Sequence, residues 1–349
     1  MQIMADQAEY VIGVDTHRDQ HAIAVLDRQG GLRQTLRIGA DRRGYAAALR
    51  AARDLAPGPR LWAIESSGSY GAGLLAYLQA LGEHVGEVDR PRRPARRNGA
   101  KDDELDAERA AREALVRRLA DPRARGAREG LRTLMLARDG AMRAHRPALQ
   151  QLRALIVTCD DELRTELRRL PPLALLRRCA GLRPARIQDL ERQATAEALR
   201  SLARRVLALQ AEADHLETRM AVLVKLLAPP ALLEEPGVGP ITGAWLLLAW
   251  SHPGRLRSEA AFAALAGASP IPASSGMVVR HRLNRGGDRQ LNRALHTILV
   301  CRIRAGHPPT RDYIARRAAE GKSPREIKRC LVRYLARRLF RILEAPLIG

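Results

Sequence analysis

Residues 10–120 alternate short apolar runs with turn residues and with stretches of helical period. Runs at 10–14, 21–27 and 32–38 predict strands, and Gly30-Gly31 between the last two predicts a tight hairpin, so the chain opens as an antiparallel meander. A helix over 42–55, a break at Pro57-Gly58-Pro59, a strand over 61–64, a helix over about 70–81 and a strand over 84–88 follow. This mixture predicts an α/β domain. Residues 89–101, DRPRRPARRNGAK, read as a basic linker that delivers an Ala-rich helix running from Asp103 to about Leu119.

From 128 to about 227 strand formers nearly vanish, and apolar residues such as Leu152, Leu155 and Ile156, or Leu202, Val206 and Leu209, recur at helical spacing. Pro171-Pro172 and the Gly181–Pro184 stretch interrupt the pattern, which predicts an antiparallel helical hairpin or coiled coil rather than one rod. After Pro229-Pro230 a third, mostly helical region ends in the basic amphipathic segment 321–343. The expected organisation is α/β plus all-α: 9–127, 128–228 and 229–349.

Charge changes the picture. Sixty Lys and Arg against thirty-eight Asp and Glu leave a net charge of +22, which points to a polyanionic partner. Aromatic residues are only 3%, so few flat faces exist on which bases could stack, and Arg contact with phosphate should dominate. No apolar run reaches the roughly 18 residues of a membrane span. The four cysteines form no CxxC pair, and the opening MQIMADQAEYVIG lacks the basic and apolar regions of a secretory signal. A cytoplasmic protein with no membrane partner is expected.

Asp15 ends the first strand in VIGVDTH, Glu65 ends another in LWAIESSGSYG, and Asp103 and Asp106 in KDDELDAERAA share one helical face. Each acid alone reads as a turn or helix-start residue. Together they read as a cluster: two carboxylates about 4 Å apart repel by about 4 kcal/mol at an effective dielectric near 20, which calls for a cation. Hard oxygen ligands favour Mg²⁺ or Mn²⁺, and such ions serve phosphoryl transfer. Asp102 competes with Asp103 for the third place. His17 and His21 flank the first aspartate.

Further on, EEPGVGPITGAWLL has a helix-hairpin-helix type of signal, in which Gly237 and Gly239 could offer amides to a phosphate. ASPIPASSGMVVRHRLNRGGDRQLNRAL joins a Ser-Ser-Gly turn to Arg280, Arg282, Arg285 and Arg289, candidate phosphate clamps.

These motifs resemble, over nearly the whole length, the insertion-sequence one-ten family of transposases. GVDTHRDQHAIAVLD is similar to that family's first-strand motif, ESSGSY to its Glu-x-x-Gly segment, and KDDELDA to its Lys-x-Asp-x-x-Asp-Ala helix start, with Asp102 where Thr or Ser is common. His21 matches a position often His in the family. The resemblance implies a RuvC- or RNase H-like DEDD domain with ligands Asp15, Glu65, Asp103 and Asp106, and a nucleophilic serine directly before Gly, which is Ser275. It further implies double-stranded DNA as substrate, a structured guide RNA, and a homodimer or homotetramer in which one subunit's Ser275 meets another's metals. Arg316, Arg317, Lys328 and Arg329 in the basic carboxy-terminal segment are assigned to nucleic-acid backbone contact. The competing readings are a junction or structure-specific endonuclease using water, and a non-catalytic nucleic-acid scaffold.

Overall fold

In the computed structural model the alternating runs at the start of the chain form β1 (Tyr10–Thr16), β2 (Gln20–Asp27) and β3 (Leu32–Gly39), followed by α1 (Arg42–Leu55), β4 (Arg60–Glu65), α2 (Ala72–Ala80), β5 (His84–Val88) and α3 (Asp103–Val116). The structure describes residues 8–88, 102–272, 281–282, 284 and 286–345, and the chain divides into two compact units, 1–124 and 125–349. The sheet order is β3-β2-β1-β4-β5. Strands β1, β2 and β3 pair antiparallel, as the meander predicted, while β4 and β5 add in parallel on the other side of β1.

Both faces of this sheet are covered, which is why its central strands are apolar almost throughout. Ile12, Val14, Ile23, Trp62 and Ile64 pack with Ala48, Leu49 and Ala52 of α1 and Leu74 and Leu78 of α2. Val11, Ala22, Ala24, Leu61 and Ala63 pack on the other face against Ala107, Ala110, Ala111 and Ala114 of α3. The edge strand β3 is largely exposed and carries Arg33, Gln34 and Arg37, polar residues suited to an unpaired edge.

Two boundaries differ from the sequence reading. Helix α2 starts at Ala72 rather than Tyr70, because residues 66–69 close a turn in which the Ser69 N–H donates to the Ser66 carbonyl. Helix α3 ends at Val116 rather than Leu119, where Arg117 turns extended. The chain then runs back along the sheet, Glu87 bridging Ala120 and Leu119 lying over Gly86.

The second unit contains α4 (Ala127–Thr158), α5 (Asp161–Arg168), α6 (Pro172–Ala180), α7 (Leu190–Leu227), α8 (Pro230–Leu233), α9 (Pro240–Trp250), α10 (Glu259–Leu265), a two-residue ribbon of β6 (Ile271–Pro272) and β7 (His281–Arg282), α11 (Arg289–Arg304), α12 (Pro308–Ala319) and α13 (Pro324–Glu344). Helices α4 and α7 pack along one another as a hairpin, with α5 and α6 in the connection. One end of that hairpin is closed by Leu152, Ile156, Leu167, Cys179 and Leu199. The other end, through Leu131, Met135, Met220 and Val224, shares a core with Leu247, Phe262, Leu295 and Leu339 of the terminal helices. Among the described residues no helix is long and apolar enough to cross a membrane.

Candidate active site

Strands β1 and β4 run parallel with Val14 opposite Ile64, so Asp15 and Glu65 are the next positions in register on neighbouring strands. Side chains alternate along a strand. Val11 and Leu61 face α3, and counting in twos sends Asp15 and Glu65 to that same face. The helix comes unusually close there: a Cβ on Gly13 would lie 2.0 Å from the carbonyl oxygen of Ala107. A strand glycine under an alanine stripe thus brings the first turn of α3 against the end of β1.

Four acids, Asp102, Asp103, Glu104 and Asp106, occupy the cap and first turn, and their backbone positions separate their tasks. Asp102 is the N-cap, its carboxylate accepting from the Glu104 N–H at 3.0 Å. Asp103, the next residue, reaches the His17 imidazole, with Oδ1 3.2 Å from Nε2. The same Nε2 lies 3.1 Å from Oδ2 of Asp15. Ligand atoms of Asp15, His17 and Asp103 all fall within 4.8 Å of one another. Asp106 is buried and takes a 2.7 Å hydrogen bond from Arg109. Glu65 stands outside the three-residue group, and Thr16 Oγ1 donates to its backbone carbonyl at 3.0 Å.

Electrostatics mark the cluster. Burial pushes the Asp15 carboxyl above its ordinary range; the His17 contact opposes this, while the charges of Asp103 and Asp106 add to it. His21 sits beneath, fully buried and stacked on Tyr45 at 6.0 Å, and burial lowers its pKa. Its Nδ1 accepts the His17 backbone N–H at 3.3 Å, fixing the turn that carries His17. A cavity of 410 Å³ opens beside the cluster, lined by His17, His21, Arg37, Tyr70 and Asp103. Just beyond Glu65, Ser66 takes φ +56°, a left-handed conformation that a non-glycine residue adopts at a cost.

The donor set suits a hard divalent cation. Two carboxylates, Asp15 and Asp103, meet at the His17 imidazole, and the first is held in a setting that disfavours its charge until a positive partner arrives. The sequence marks the acids directly and His17 only as a flanking residue, the D-x-H spacing across a strand end being its one signal. Arg109 was not named. Its i, i+3 spacing from Asp106 was visible in the sequence.

The other expected residues lie in the second unit. Ser275, Arg280 and Arg285 fall outside the described residues. Gly237 has φ +87° and packs on the α11 backbone, where a Cβ would meet the Ile298 carbonyl at 2.8 Å. Gly239 precedes α9, and its N–H is taken by Thr242 Oγ1 at 2.8 Å. That amide therefore has a partner inside the protein. Arg282, Arg289, Arg316, Lys328 and Arg329 are exposed. Arg317 pairs with Glu320, and Arg316 and Arg317 both lie over the Tyr313 ring.

Comparison with known proteins gives two matches. Residues 12–159 match a DEDD-type transposase family of IS110 elements, and residues 230–315 match the family described as Transposase IS116/IS110/IS902. A search of curated proteins gave no match.

Proposed function

This chain belongs to the IS116/IS110/IS902 family of transposases, and from that premise we propose that its first unit is the RuvC-like, metal-dependent half of a DNA strand-transfer site. The observation that carries the reading is the meeting of Asp15 and Asp103, from opposite ends of the α/β unit, at a single His17 nitrogen. Strand order β3-β2-β1-β4-β5, with acids at the ends of β1 and β4 and at the start of α3, supports the RNase H-like assignment.

Asp15, Glu65, Asp103 and Asp106 would hold Mg²⁺ or Mn²⁺. Such a cation, when bound, neutralises charge developing on a phosphoryl group and acidifies an attacking hydroxyl. The chain's own residues do the rest. Asp102 caps α3 so that Asp103 and Asp106 face β1, Arg109 orients Asp106, and His21 steadies the turn bearing His17.

Ser275 enters as nucleophile through the family resemblance. Its hydroxyl oxygen would attack a DNA phosphorus, the bond to the departing strand would break, and that strand would leave carrying the proton as a free hydroxyl. Attack by an incoming strand's hydroxyl reverses these bonds, so rejoining needs no ATP. The resemblance also supplies a structured guide RNA, whose pairing would read sequence while the basic protein reads shape and charge, and an oligomer that completes the site.

The test is strand cleavage and joining on double-stranded element ends with Mg²⁺ and the RNA that co-purifies with the chain. Asp15→Asn and Ser275→Ala should each abolish both while DNA binding persists. Cleavage by Asp15→Asn would overturn the carboxylate assignment. Hydrolysis surviving in Ser275→Ala would make water the nucleophile.

A further inference from the structure

The second unit holds a cavity of 470 Å³ walled by α4, α7, α9 and α11. Four arginines line it, Arg138, Arg143, Arg146 and Arg293, against two acids, Asp139 and Glu217. The acids are already engaged: Asp139 lies 3.3 Å from Arg293 and 3.5 Å from Arg138, and Glu217 lies 3.5 Å from Arg138. Arg143 and Arg146 are exposed, three apart on α4 and so on one face, and among the described residues neither has a partner. The wall thus carries two uncompensated guanidinium groups.

Another part of the lining is different in kind. Trp245 of α9 lines it, with the Arg293 guanidinium 6.0 Å from the ring centroid. Guanidinium groups clamp phosphate oxygens, and an aromatic with a stacked arginine accepts a flat base or a sugar face. The volume is in the range of sites that hold a small organic ligand or one unit of a polymer. A protein of net charge +22 presents this surface to polyanions.

We propose that this cavity grips the phosphodiester backbone of one nucleic-acid strand, with Arg143 and Arg146 on successive phosphates and Trp245 with Arg293 against the intervening nucleoside. The proposal deepens the reading above and rests only on its nucleic-acid partner, not on the carboxylate cluster or on Ser275. It also places the positive charge on arginine side chains rather than on the Gly239 amide, which Thr242 occupies. DNA and RNA share this chemistry, so both are probed.

The experiment measures anisotropy of labelled single-stranded DNA, single-stranded RNA of the same sequence, and the DNA duplex against salt, using the full chain. Arg143→Gln with Arg146→Gln should weaken the preferred probe about tenfold and reduce the slope of log affinity on log salt by about 1.4 for a single strand or about 1.8 for duplex, from about 0.7 or 0.9 per lost phosphate contact. Arg168→Gln with Arg169→Gln, an exposed pair on and just after α5, removes the same charge outside the cavity and should change affinity less than twofold. Thr297→Glu, on the exposed α11 wall, should weaken binding and Thr297→Arg should strengthen it. The probe whose slope changes most identifies the strand. Equal losses from the two arginine pairs, or unchanged slopes for every probe, overturn the proposal. Cleavage surviving in Asp15→Asn, with the slope still lost in the Arg143/Arg146 variant, would refute the acid site and leave this one standing.

Discussion

Gly13 and Ala107 touch backbone to backbone: a Cβ on Gly13 would sit 2.0 Å from the Ala107 carbonyl oxygen and 2.6 Å from the Ala111 nitrogen. That contact sets how deeply α3 seats on the sheet, and therefore how near Asp103 and Asp106 come to Asp15. Gly13→Ala must push the helix outward. Overpacking of this kind costs about 1–3 kcal/mol. We expect the unfolding free energy lowered by that amount in thermal melts and strand cleavage reduced far more than the stability loss explains, since the carboxylates lose their spacing.

Asp15 ionises against burial and against Asp103 and Asp106, so its charged form is disfavoured in the folded, metal-free protein. A carboxyl whose folded pKa is raised keeps its proton longer folded than unfolded, so metal-free stability declines as pH rises through that interval. Asp15→Asn removes the unfavourable charge. It should raise the Tm without metal at neutral pH and abolish the further rise that Mg²⁺ gives the wild type. A variant less stable than wild type without Mg²⁺ would contradict the electrostatic account.

His17 touches both Asp15 and Asp103 through one nitrogen, and its turn is held by His21. His17→Ala should leave the unfolding free energy within about 0.5 kcal/mol, as expected for a partly exposed side chain, yet alter the Mg²⁺ concentration needed for half-maximal cleavage. An unchanged metal requirement would reduce His17 to a bystander.

Glu235 is buried between Arg302, at 2.5 Å, and Arg338, whose Nε lies 2.7 Å away, and it ties the turn before α9 to α11 and α13. Burial acts to raise its pKa, but the two guanidinium groups outweigh it and hold the carboxyl below its ordinary value. With a lowered folded pKa, its stabilisation is present above the unfolded value and is lost as pH falls through the folded one. Glu235→Ala leaves the buried Arg302 guanidinium without its carboxylate, while Arg338 is largely exposed and returns to water, so the loss near neutral pH should be about 3 kcal/mol. The wild type and variant denaturation midpoints should converge on acidification.

How much could be read beforehand follows from how local each signal is. Strand period, the hairpin at Gly30-Gly31 and the prolines at 171 and 172 act over a few residues, so the meander, the α/β start and the helical hairpin were legible in the sequence. The places of Asp15 and Glu65 at strand ends and of Asp103 and Asp106 in one helical turn were legible too, because strand ends and a helical i, i+3 pair have recognisable spacing. Tertiary contact decided the rest. That His17 joins Asp15 to Asp103, that Asp102 is spent on a cap, and that Thr242 fills the Gly239 amide depend on distances between segments remote in sequence. The basic cavity was equally hidden: its arginines come from helices separated by a long stretch of chain, and only packing shows which charges have found partners.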